Sequence, residues 1–408
     1  MKKKIKLAML GMTAVLFGLT ACGNKQEAAS KEGKTTIRFA SWDTADDVDA
    51  QQKMVDKFNE EHPDIQVVLE AYGSDFDTKI SASMGSGDAP DVMYMWNYPA
   101  YHDGLEPLDS YIEKEGEDYK KNFYSTLWNY NSYDGQIYGL PVGFTTHCVY
   151  YNKDLFEKAG VEEPKDGWTW EDLEEKAKKI NEATGVKGFS FSMKPDPYDY
   201  EMYLWSNGTA YCDKEGKMEG YVNSDKALET YKMFQDMAKD GYAVATEKSG
   251  SDEFESGQTA MFVYGAWAVK KYTEAGVNFG LAKLPSFGTE KSASILSSSG
   301  VAIAKSSKNK EAAWEFVKYW TDEENNKSRI GTEFPVLVSV VESEKILDKP
   351  EYAPFYAMLD QSGEYTPASF IMDKWSEVSE KLELAFEEMY NPSSYKDVKE
   401  AIAPVLNE

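Results

Sequence analysis

Between Thr36 and Met95 the chain switches repeatedly between two periodicities, and that alternation narrows the possible folds more than any other feature. Thr36-Ile37-Arg38-Phe39-Ala40 has the β-branched and aromatic content of a strand. Val48, Gln52, Val55 and Phe58 then recur at helical spacing, and Ile65-Gln66-Val67-Val68-Leu69 is strand-like again. This is a β-α-β unit. A second helix is expected from Phe76 to Met84, ending at Gly85-Ser86-Gly87, with a further strand over Asp91-Val92-Met93-Tyr94-Met95. Such alternation implies a sheet covered by helices on both faces, so the expected class is α/β.

Later segments carry sharper local signals. Asp134-Gly135 between Tyr133 and Ile137-Tyr138 has the residues of a two-residue hairpin turn. Thr169 followed by Asp172 reads as a capping box, with Trp168 and Trp170 as structural staples. Ala313, Trp314, Phe316, Val317 and Trp320 share one side of a helix from Lys310 to Trp320, which makes both tryptophans core residues. At 408 residues the chain exceeds what one core comfortably fills, so two domains are expected, exchanging segments rather than following in series.

The first residues read as an address. Lys2, Lys3, Lys4 and Lys6 precede an apolar stretch from Leu7 to Ala21, followed by polar Gly23-Asn24-Lys25-Gln26-Glu27. That stretch is shorter than the roughly 18 residues a membrane span needs, and it has the layout of an export signal. Leu19-Thr20-Ala21-Cys22 resembles the lipobox of bacterial lipoproteins. The resemblance implies that residues 1–21 are removed and that Cys22 carries lipid, its thiolate being the nucleophile that accepts it. An ordinary secretory signal with an incidental cysteine is the alternative. Residues 22–35 are small and charged, as a flexible tether would be.

Charge limits the partners. Without the four lysines of residues 1–21 the formal net charge of −26 becomes −30, and only two of the 44 basic residues are arginine, Arg38 and Arg329. Nucleic acid is a poor candidate partner, since phosphate contacts need clustered cations, and few arginines means few bidentate grips on phosphate or carboxylate. A neutral ligand fits better. Aromatic residues make up 14% of the chain, enough for some rings to serve that ligand. Cys148 and Cys212 either pair, as an exported compartment permits, or remain buried thiols.

Several stretches, taken in order, resemble the extracellular solute-binding proteins of sugar-importing ABC transporters, the maltose-binding-protein-like group. They are Thr36-Ile37-Arg38-Phe39 with Ser41-Trp42-Asp43, Gly87-Asp88-Ala89-Pro90-Asp91-Val92, Gly139-Leu140-Pro141-Val142, Tyr150-Tyr151-Asn152-Lys153-Asp154-Leu155-Phe156, Gly265-Ala266-Trp267, Ser299-Gly300-Val301-Ala302-Ile303, and Ser307-Lys308-Asn309-Lys310-Glu311-Ala312-Ala313-Trp314-Glu315-Phe316. The resemblance implies a periplasmic-binding-protein-like fold of two lobes with an interlobe ligand cleft and multiple hinge crossovers. Residues 36–143 plus 298–340 would form lobe 1, and 144–297 plus 341–408 lobe 2. Hinges are expected near Pro141–Thr146, Leu296–Ser299 and Val336–Glu342. It further implies a monomer that hands an oligosaccharide to ABC permease subunits, touching the membrane only through its N-terminal lipid, on a cell lacking an outer membrane.

A sugar presents hydroxyls at its edge and C–H patches on its faces, so its site needs carboxylates and amides beside aromatic rings. In the family, Trp267 corresponds to the ring that stacks under a pyranose, and Trp375 resembles a second stacking tryptophan; Tyr198 aligns with a cleft tyrosine. Trp42 and Asp43 close the first strand, at the edge where open α/β sheets bind ligands, and Asp43 could accept from hydroxyls or cap a helix. Tyr72, Tyr94, Trp96 and Asn97 follow or end other strands and are candidates on the same ground. Thr145 stands where the family has an acidic sugar contact, and a hydroxyl cannot accept as a carboxylate does. Ser299 and Gly300 could offer backbone groups. First among ligands is a maltodextrin-like glucan; a glycerol phosphodiester, peptide or uronate is the competing class.

The rival to a binding protein is a secreted glycoside hydrolase, which needs two carboxylates about 5 to 10 Å apart across the scissile bond. The 70 acidic residues could supply a pair, but no His-Glu-x-x-His or Gly-x-Ser-x-Gly pattern occurs, and His62, His102 and His147 are scattered singly as structural or solvent-facing residues. Neither catalysis nor a cofactor or metal is expected.

Overall fold

The computed structural model describes residues 33–288 and 291–406; Cys22 and most of the tether lie outside them. Eleven strands run β1 Thr35–Ser41, β2 Ile65–Ala71, β3 Val92–Met95, β4 Ser132–Tyr133, β5 Gln136–Ile137, β6 Gly139–Asn152, β7 Phe189–Ser192, β8 Ala243–Thr246, β9 Met261–Gly265, β10 Phe279–Ala282 and β11 Leu296–Ile303. Nine of them join in the order β2-β1-β3-β11-β6-β9-β7-β8, with β10 also on β6. The parallel pairs β1–β2 and β1–β3 are the expected β-α-β crossovers, carried by helices Ala45–Glu61 and Phe76–Ser86. The hairpin expected at Asp134-Gly135 joins β4 to β5.

β6 holds the architecture together. Its Gly139–Thr146 half pairs antiparallel with β11, and its His147–Tyr151 part pairs with β9. One strand is therefore shared by two sheets, and the expected lobe boundaries at 143/144 and 297/298 fall within β6 and β11. The β6–β11 ladder slips between Ser299 and Gly300, so that Val142 has no partner across the pair. A bulge of this kind bends the strand and re-aims the side chains beside it.

Each sheet has its own aromatic core. On the first, Phe39 meets Trp320 and Phe316 edge-on at 4.8 and 5.1 Å, which places helix Lys310–Trp320 against β1 as its apolar side requires. On the second, Trp170 meets Tyr203 and Phe234 at 5.5 and 5.4 Å. Its helix starts at a complete capping box, with the Asp172 amide donating to Thr169 Oγ1 at 3.2 Å and the Thr169 amide donating to Asp172 Oδ2 at 2.8 Å. Burying each such ring contributes on the order of 1.5–3 kcal/mol. Cys148 and Cys212 are both buried free thiols.

Candidate functional site

Where the two sheets meet, strand ends and the bulge open a groove with two adjoining cavities of about 420 and 460 Å³. Trp42, Ser297 and Ser299 line both. Trp42 leaves the end of β1 and lies on the Tyr94 ring, with centroids 4.7 Å apart, while Phe76 meets it edge-on at 5.3 Å. These neighbours fix its plane between the cavities.

The larger-walled side is built across the bulge. Thr145 accepts the Ala266 amide at 2.9 Å, which ties β6 to the turn after β9. From that turn Trp267 projects with 53% of its surface exposed, the most open ring among the tryptophans of the described residues. Its edge-on neighbours are His147 at 5.4 Å and Tyr264 at 5.1 Å. A large apolar ring held from behind and open in front is suited to cover the C–H face of a ligand.

Carboxylates supply the polar side. Asp47 and Glu333 line the cavity of Trp267, and Asp77 lines the other. Glu333 Oε2 is 3.3 Å from Arg329 Nε, and the Arg329 guanidinium donates to the Trp320 carbonyl at 2.9 Å. Burial pushes the Glu333 carboxyl above its usual range; Arg329 opposes this, whereas Asp43 and Asp47 add to it. Beneath Trp267, His147 Nε2 is 3.8 Å from Asp199 Oδ1. Burial holds the imidazole down at about 3, and burial together with Asp196 raises Asp199 to about 6, so at neutral pH the pair is a neutral ring beside a carboxylate.

Of the expected site residues, Trp42, Trp96, Thr145, Trp267 and Ser299 come together on this groove. The others line neither cavity, each for a local reason. Tyr94 has no exposed surface, because β3 is covered on both faces, and it supports Trp42 from below. Asp43 Oδ2 is engaged by Ser41 and Gln51, so the carboxylate braces the end of β1 and Asp47 reaches the cavity instead. Asn97 caps the short helix Tyr98–Tyr101 by accepting the Ala100 amide at 3.2 Å. Tyr72 donates to Glu70 at 2.6 Å, and Glu70 in turn holds Arg38. Trp375 starts helix Trp375–Tyr390 as expected but packs toward Tyr211 at 5.9 Å, and Tyr198 stands against Phe370 at 6.2 Å.

Phe144, Lys270, Glu333 and Tyr352 line the groove without having been singled out in the sequence. Glu333 did carry a signal: it follows one of only two arginines by four residues, the spacing of an ion pair.

A profile of the bacterial extracellular solute-binding proteins matches residues 41–327. The chain belongs to that family. The galactooligosaccharide-binding protein of Bacillus subtilis is 26% identical over 386 residues, covering 90% of this chain and 88% of its own. An ABC substrate-binding protein from Listeria monocytogenes, solved with cycloalternan, superposes with a TM-score of 0.74 at 26% identity, over 91% of this chain and 98% of that one. UgpB from Mycobacterium tuberculosis, solved with glycerophosphocholine, gives a TM-score of 0.75 at 20% identity, over 91% and 97% of the two chains. The extracellular solute-binding protein described here is thus a receptor of an ABC importer, in a family that binds rather than converts its ligands.

Proposed function

We propose that this solute-binding protein captures a neutral oligosaccharide, with maltodextrin-like glucans first in line, in the groove between its two sheets and delivers it to an ABC permease. The observation that carries this reading is the pairing of a half-exposed Trp267 with Trp42 across one cavity whose remaining polar groups include the Asp47 and Glu333 carboxylates. Rings suit sugar faces and carboxylates accept from hydroxyls. Against the single cation Lys270, these two acids leave the lining of that cavity net negative, which argues against uronates and phosphodiesters.

Ligand bridging the two sides would shift an open–closed equilibrium toward the closed form, by rotation about β6 and β11. Lobe 1 is then 36–143 plus 298–340 and lobe 2 is 144–297 plus 341–408. Lipid on Cys22, with residues 22–35 as a tether, would keep the receptor beside its permease at the outer face of the membrane and raise its effective concentration there.

A thermal-shift screen of the mature chain against malto-, galacto-, xylo- and manno-oligosaccharides and phosphorylated polyols tests the reading. A ligand present at about 100 times its Kd stabilises by about 2.7 kcal/mol. Silence from every sugar alongside a shift from a phosphorylated polyol would overturn it.

A further inference from the structure

Four aromatic rings cluster beside the Trp96 end of the groove, on elements from both sides of the molecule. Trp96, which follows β3, lines the 460 Å³ cavity and donates from Nε1 to Asp77 Oδ1 at 3.3 Å. Beyond it stands Phe370, with its ring centroid 6.1 Å from Trp96, 6.1 Å from Tyr130 and 6.2 Å from Tyr198. Tyr130 closes the gap on the other side, its hydroxyl 3.4 Å from Oγ of Ser297, which lines both cavities. Trp96 and Tyr130 belong to the β3–β11 side of the molecule, whereas Tyr198 follows β7 on the other side.

Phe370 is held from the β7 side. It sits on the short helix Ala368–Ile371, whose first amide donates to Glu201 Oε2 at 2.9 Å, while the other oxygen of that buried carboxyl accepts the Tyr211 amide at 3.1 Å. Both oxygens are thereby committed to backbone, one on each of two segments. The ring is half-buried, with no polar atom to satisfy, and it stands directly beside Trp96 at the edge of the groove.

We propose that Phe370 is a length stop: it closes the Trp96 end of the groove and fixes how many sugar units the site accepts. The inference rests on the oligosaccharide reading. A ligand running from Trp267 past Trp42 to Trp96 gains contacts with each added unit until it meets Phe370, and a longer chain gains nothing more. Removing the ring opens the wall between Trp96 and Tyr198 without touching Trp267, Trp42 or the carboxylates.

The experiment is calorimetric titration of the mature chain with unbranched malto- and galacto-oligosaccharides of two to seven units. In the unaltered protein affinity rises with length and then levels off. In Phe370→Ala the levelling point moves by at least one unit, with a tenfold or greater gain for the first unit beyond the old limit; Phe370→Val, which keeps part of the bulk, moves the same way and serves if the alanine variant fails to fold. An unchanged levelling point, or an equal loss at every length, overturns the stop and leaves the oligosaccharide reading standing. If neither series binds, xylo- and manno-oligosaccharides of the same lengths are titrated, and absence of binding by all four series overturns both.

Discussion

Gly265, the last residue of β9, seats the Trp267 ring so closely that a methyl group in its place would stand 2.1 Å from Cζ3, 2.3 Å from Cη2 and 2.5 Å from Cε3. Non-bonded carbons rest about 3.5–4.0 Å apart, so in Gly265→Ala the ring must retreat by about 1.5 Å or swing out. Nothing else obstructs the methyl as closely, and the half-exposed ring is free to yield toward solvent. Moving it forfeits the edge-on contacts with His147 and Tyr264, each about 0.5–1.5 kcal/mol, so stability should fall by about 1–3 kcal/mol.

Binding should suffer more than folding. A stacking ring displaced by about that much loses its face contact, and we expect a tenfold weaker Kd, equivalent to about 1.4 kcal/mol. Trp267→Ala should lose at least as much. The decisive measurement is the double variant: the three atoms nearest the added methyl all belong to Trp267, so Gly265→Ala should cost little further in affinity once that ring is gone. Calorimetric affinities for the oligosaccharide that responds in the thermal-shift screen complete the cycle. A Gly265→Ala protein binding within twofold of the parent, or two losses that simply add, would refute the reasoning.

Two further predictions concern stability. Burial raises Asp199 to about 6 and Glu201 to about 7, above the unfolded carboxyl values of about 4, so the folded state holds these protons more tightly than the unfolded one. Their contribution is fully favourable below about pH 4 and is lost as pH rises through 6 to 7. His147, held down at about 3, works the other way, since below about 6.5 only the unfolded state takes up its proton. The two carboxyls together outweigh it, so the urea midpoint should still increase on acidification from pH 8 to about pH 5, and Glu201→Gln should flatten that slope; a midpoint that falls in the parent but not in a His147→Gln variant would leave the carboxyl assignment standing, whereas a fall in both would contradict it. At Gly300 an added methyl would meet Asn131 Oδ1 and the Tyr98 hydroxyl, both at 2.3 Å, and these two are hydrogen-bonded to each other at 2.6 Å in a buried network. Gly300→Ala should cost about 2–4 kcal/mol by denaturant titration, from overpacking plus a broken buried hydrogen bond, and a loss under about 1 kcal/mol would show that the network relaxes.

Much of the fold was legible because its signals are local. The capping box at Thr169, the turn at Asp134-Gly135 and the helical side carrying Trp314 and Trp320 each depend on residues a few positions apart. In the groove, Trp42 and Trp96 were legible because a strand end carries a ring, whereas Trp267, Thr145 and Ser299 were reached through the family resemblance. The same rule misplaced Tyr94, since a strand covered on both faces gives no alternation to tell an outward side chain from a buried one. Asn97 shows another limit: with Pro99 two residues on, its capping role was written in the chain, but a cap and a ligand contact use the same amide. Glu333 and Phe370 come to the groove from more than 200 residues beyond Trp96, so their roles are set by topology that no window of sequence contains.

β6 passes from one sheet into the other without a break, with rungs to β11 on one stretch and to β9 on the next. In mechanical terms it is a leaf spring shared by two plates. A hydrogen-bonded ladder is stiff to stretching and to shear along its length, whereas strands twist readily about their own axes. The plates can tilt and wind relative to one another, but they cannot slide apart or exchange neighbours. In the proposed closure torsion would then be the soft coordinate, with the unpartnered Val142 as the point along the spring where the ladder is already interrupted.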